Sequence, residues 1–143
     1  MADAPLSRAA LVAVLCAGLA LGAVGCSGQR DTSEGKKIEA AIKRFALSHG
    51  PDTCSQLTGR GLISVYGGSD PNPTLTSSRA RCIKSSKRFQ GAPVDVTFVT
   101  IVKPTNAHAS VRTLDGKHYY VVALLKLHRR WKIDSVSIQA KPH

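Results

Sequence analysis

The spacing of apolar positions changes along this chain, and each change marks a new kind of element. Residues 9–24 are apolar or small throughout and carry no charge, with Arg8 just ahead of them. Residues 27–35 are small and polar with no apolar period, the composition of a flexible tether. Ile38, Ala41, Ile42, Phe45 and His49 then follow helical spacing, which predicts an amphipathic helix with Lys37, Glu39, Lys43 and Arg44 largely outside. Gly50-Pro51 stops it. Asp52 or Thr53 can cap a short second helix that runs to Leu57 and carries Cys54 on its first turn, until Gly59 and Gly61 break it. Leu62, Ile63, Val65 and Tyr66 form an apolar cluster that suits a short helix or a strand, and 67–73 is a loop by composition. Residues 76–89 predict a third helix with Ala80, Ile83 and Phe89 inward and Cys82 beside them; all its charges are basic.

After Gly91-Ala92-Pro93 the period becomes two. Residues 94–102 are rich in β-branched side chains and end before Pro104. Ala107, Ala109, Val111 and Thr113 alternate with His108, Ser110 and Arg112, and Asp115-Gly116 is a hairpin turn signal. Residues 119–127 are apolar on both parities, which predicts a central strand covered on both faces. Trp131-Lys132-Ile133-Asp134 begins a last strand that reaches about Gln139. Helices followed by an antiparallel meander make an α+β domain of about four strands, with the helices on one face of the sheet.

This element order, with the closing Trp131-Lys132-Ile133-Asp134-Ser135-Val136, resembles the nuclear transport factor 2-like superfamily, a cystatin-like cone shared with ketosteroid isomerase-like enzymes. The resemblance spans 36–139 and implies a curved sheet whose interior holds a ligand site; Tyr66, Phe98, Tyr120 and Trp131 are the aromatics placed to line it. Cys54 on an early helix and Cys82 ahead of the sheet resemble exported members of actinobacterial envelopes. The fold hosts enzymes, binders and scaffolds alike, so it leaves function open.

The start of the chain has the shape of an export signal: a basic residue, an apolar middle, small residues at the end. Leu21-Gly22-Ala23-Val24-Gly25-Cys26 resembles the lipobox of bacterial lipoproteins, with Ala23 where that family usually has Leu. The resemblance implies a signal at 1–25, a diacylglyceryl anchor on Cys26, a tether at 26–35 and one domain at 36–140, held on the outer leaflet of the cell membrane. An ordinary cleaved signal and an uncut helix are the alternatives. The run is short for a spanning helix, which needs about 20 apolar residues, and no Ala-x-Ala-like site precedes Cys26.

Four cysteines occur. Cys16 would leave with the signal and Cys26 would carry lipid, so Cys54 and Cys82 remain to form one disulfide, consistent with an oxidising compartment. Free thiols or a metal pair are the other readings; no C-x-x-C spacing supports a metal, and no cofactor motif is present.

Twenty Lys and Arg against nine Asp and Glu give a formal charge of +11. Export and the absence of interleaved aromatics argue against nucleic acid. The basic surface would instead meet anionic lipids or wall polymers, or an envelope protein complex, or simply keep the domain soluble.

Candidates for acid–base chemistry are Asp95, His108, Asp115, His118, Tyr66, Tyr119 and Tyr120. A two-residue turn at Asp115-Gly116 sets Thr113 opposite His118. His118, Tyr120 and Val122 then share a face with Ala109 and Val111, while His108 and Arg112 share the other with Tyr119 and Val121. The two histidines are thereby separated, Asp115 has a turn role, and Asp95 and Asp134 are expected to face solvent. No catalytic residue and no metal ligand emerges. The expectation is a non-catalytic ligand-binding or scaffolding domain, with a cone isomerase or dehydratase as one alternative and a subunit docking on an envelope complex as the other.

Overall fold

The computed structural model describes residues 28–86 and 92–141. The signal, Cys16, Cys26 and Phe89 lie outside them. Among the described residues the chain forms α1 (Ser33–Leu47), α2 (Pro51–Ser55), α3 (Gly59–Tyr66), α4 (Leu75–Ser86), β1 (Val94–Lys103), β2 (Asn106–Thr113), β3 (Tyr119–Leu127) and β4 (Arg130–Gln139). The strands form one antiparallel sheet in the order β1-β2-β3-β4. This is the expected α+β order; the sheet is open, with β1 and β4 as edges.

Both edges are partly covered. At β1, the Gln29 N–H donates to the Val99 carbonyl at 2.7 Å, and the Ile101 N–H donates to the Gln29 side chain at 2.5 Å. Gly28 bridges Val99 with φ +64, and any β-carbon there would strike the Val99 carbonyl oxygen. At β4, Ile133 exchanges backbone hydrogen bonds with Gln56 and Thr58, both at 2.9 Å. Paired edges of this kind remove templates for aggregation. The expected free tether at 26–35 is therefore corrected over its described part, 28–35. Gly28 and Gln29 dock on β1, and the Thr32 hydroxyl caps α1 by accepting the Gly35 N–H at 3.0 Å, so α1 begins at Ser33.

α1 lays Ile38 and Ile42 against the sheet, with Ala41 and Phe45 partly buried beside them. They share one core with Val96, Val99, Ala107, Ala109, Val111, Val122, Leu124 and Ile133 of the sheet. Each fully buried Ile contributes about 1.5–3 kcal/mol. Ala107 and Ala109 leave room on the middle of the sheet for the larger helix side chains. The helix ends at Leu47 with Ser48 extended, before Gly50, and His49 stays exposed outside it.

Several local expectations change. Gly50 caps α2, because Pro51 takes the first helical position, where its missing N–H costs nothing. Gly59 and Gly61 do not break a helix; they form the first turn of α3. The Thr58 hydroxyl accepts from the Gly61 N–H at 2.9 Å and donates to Asp134 Oδ1 at 2.7 Å. Asp134 does not face solvent, because it is the extra residue of a β-bulge between Ile133 and Ser135, which turns it toward Thr58 and Arg60. α4 buries Ser78 and Cys82, one turn apart, while Ala80 and Ile83 are exposed. The Cys54–Cys82 disulfide sets that rotation, with Cα atoms 5.9 Å apart across 28 residues. β3 is covered on one face only. Val122 and Leu124 are buried, whereas Val121, Ala123 and Leu125 are half-buried on a side that no described helix covers.

The hairpin register matches the expectation, with Val111 opposite Tyr120 and Arg112 opposite Tyr119. The turn is wider than two residues: Thr113 and His118 close it through a 3.0 Å bond from N–H to carbonyl. Widening it symmetrically leaves the strand pairing unchanged.

Candidate functional site

Between the C-terminal half of α1 and the sheet lies an apolar cleft of about 330 Å³. Ile42, Phe45 and Ala46 form its helical wall, and Ala92, Val94, Val111, Val122 and Val136 its sheet wall. Among the described residues its only hydroxyl side chains are Thr113 and Tyr120, and no carboxylate or imidazole lines it. The volume lies at the small end of the roughly 300–1,000 Å³ typical of small-molecule sites.

The four aromatics expected to line one interior are dispersed. Tyr120 alone lines this cleft. Phe98 sits opposite Ser110 beyond a bulge, with its ring against Gly28 at the β1 edge. Tyr66 packs against the core from the end of α3, and burial pushes its phenol pKa up. Trp131 is buried at the start of β4, outside the cleft. The bulges between Val96 and Phe98, and between Ala123 and Leu124, shift side-chain parity and separate positions that simple alternation would group. Val94 was findable as an inward β-branched residue at the same parity as Val96, whereas Val136 turns inward only because the extra residue at Asp134 shifts the parity set by Trp131 and Ile133. Ala46 gave no signal, because small helical residues carry none.

The acid–base candidates do not converge either. Asp95 is ion-paired across the strands with Arg112 at 2.9 Å. Asp115 lies in the exposed turn, and its pKa is held low by the Thr113 hydroxyl and the Lys117 N–H. His108 is exposed opposite Ala123 on the outer face, and His118 is exposed at the hairpin end. Among the described residues no three His, Cys, Asp or Glu stand close enough to hold a metal ion.

The most strongly perturbed carboxylate is Glu34, a residue the sequence did not single out. Its Oε2 accepts from Lys126 Nζ at 2.8 Å and from the Trp131 indole at 3.1 Å, while Oε1 accepts from Lys37 at 2.7 Å. Lys126 also stands 5.5 Å from the Trp131 ring centroid. Lys126 first, then Lys37 and Trp131, lower the Glu34 pKa to about 2. This clamp ties the start of α1 to the β3–β4 hairpin. A depressed carboxylate pKa stabilises the fold above its unfolded value and ceases to do so as pH falls through the folded one. Glu34→Gln should therefore lower the thermal midpoint at neutral pH. The gap to the parent should narrow between the ordinary carboxylate pKa and about 2. A gap that stays constant through that acid range would show that Glu34 acts by packing alone.

No helix among the described residues is long and apolar enough to cross a membrane. No protein-family model matches the chain, and no curated protein or solved structure matches it significantly.

Proposed function

We propose that this chain is an exported lipoprotein whose domain binds a small neutral apolar molecule in the cleft under α1 and does no chemistry on it. The observation that carries this reading is the composition of the cleft walls: ten described residues, of which only Thr113 and Tyr120 offer polar side-chain atoms. Such a lining rewards burial of apolar surface, and two hydroxyls suffice to orient a ligand. General acid–base catalysis needs ionisable groups within hydrogen-bond reach of the reacting atoms; among the described residues the cleft walls carry no carboxylate or imidazole, and the Tyr120 phenol stands there without a second acid or base to exchange protons with. A nuclear transport factor 2-like cone accords with helices laid over one face of a bulged antiparallel sheet. Export accords with the Cys54–Cys82 bond, since disulfides persist in oxidising compartments. Cys26 would carry the lipid and hold the domain on the outer leaflet.

Two measurements test the reading. N-phenyl-1-naphthylamine, a neutral fluorophore, should brighten on the full chain, and Ala46→Trp should abolish the response by filling the cleft while the circular dichroism stays unchanged. Equal brightening in the variant would overturn the site. Cys26→Ala should move the protein from the membrane fraction to the soluble exported fraction. If it stays with membranes, the anchor is assigned wrongly.

A further inference from the structure

A second concavity, of about 690 Å³, lies against a different side of α1, between that helix, α2 and the start of β4. Its cationic lining is Arg44, Arg130 and Lys132, with Asp52 as the one carboxylate. Among the described residues none of these three cations is ion-paired, although Arg30, Lys37, Lys43, Arg60, Arg81, Arg112 and Lys126 all are. The basic excess of the chain is thus left uncompensated at a concave place, where low-dielectric walls strengthen its field. Asp52 offsets one of the three charges, so two remain. The rest of the lining suits an organic body. Leu47 is half exposed there, and Trp131 is held in place by its bond to Glu34.

We propose that this groove binds a phosphate monoester. Such a group carries about −1.5 to −2 charge at neutral pH, which matches the residual charge of the groove. Guanidinium forks such as those of Arg44 and Arg130 suit phosphoryl oxygens, and Lys132 adds a point charge. The carrier of the phosphate is a soluble ester or a lipid headgroup; the groove recognises the chemistry that both share. This site is separate from the apolar cleft, and Ala46→Trp should leave it intact.

The chain has one tryptophan, so the Trp131 fluorescence and its indole N–H resonance report on the groove directly. The full chain in phosphatidylcholine nanodiscs is titrated with sn-glycerol 3-phosphate, and in parallel is placed in nanodiscs containing phosphatidic acid. The Trp131 signals should shift in at least one arm, and the responding arm identifies the source. Arg44→Gln with Arg130→Gln should weaken the response about tenfold or more. Arg79→Gln with Lys84→Gln removes the same charge from exposed positions of α4 and should change it less than about twofold. If the two double variants weaken binding equally, the attraction is diffuse and the groove is not a site. If neither arm moves the Trp131 signals, the proposal fails.

Discussion

Alanine at both Cys54 and Cys82 should lower the thermal midpoint by ~15 °C. The bond closes a loop across 28 residues. Chain entropy assigns such a loop about 3.5 kcal/mol. The local structure gives no substitute. α2 has five residues, too few to be stable alone, and α4 packs mainly against α2 and α3. Cys82 is itself fully buried, so the truncation also leaves a small void. The loss should be uneven. Amides of α4 should exchange with deuterium well before those of β2 and β3, because the sheet and α1 keep their own core. Unchanged α4 protection in the double variant would mean that packing, without the bond, holds the helical layer.

Gly61→Ala should cost about 3–5 kcal/mol, a large effect for one methyl group. A β-carbon at Gly61 would collide with the Ile133 carbonyl oxygen, the group that accepts the Thr58 N–H at 2.9 Å. Backbone on both sides leaves no flexible side chain to yield. α3 would have to retreat from β4, breaking that bond and the bond from the Thr58 hydroxyl to Asp134. Gly59, two residues earlier in the same turn, is the control. A β-carbon there would meet only the Leu75 side chain at 3.5 Å, an ordinary contact. Gly59→Ala should hold or slightly raise stability, since alanine favours helix over glycine. Denaturant midpoints of the two variants decide the matter; similar losses in both would indicate that helix entry, and not close approach to β4, governs the site.

Much of the architecture was legible because its signals are local. The helical spacing of Ile38, Ala41, Ile42 and Phe45 and the alternation from Ala107 to Thr113 each express burial of one face. Asp115-Gly116 marked the hairpin, and symmetric widening of the turn preserved its register. The Cys54–Cys82 pairing was expected once the leader and lipid-anchor readings set Cys16 and Cys26 aside. Expectations failed where one element answers to another. α4 shows Ala80 and Ile83 to solvent because its rotation is set by a bond to α2. Gly59 and Gly61, expected to end a helix, begin one because Thr58 caps that turn and is anchored on β4.

The candidate sites divide along the same line. The amino-acid order alone determined an α+β domain and a strong basic excess, since composition and short periods carry these. Only the tertiary structure decided that Tyr120 enters the cleft while Phe98 and Trp131 leave it, that Glu34 becomes a clamp, and that Arg44 meets Arg130 and Lys132 across one groove. Bulges change parity and helix packing joins distant positions, and neither event leaves a periodic trace in the chain.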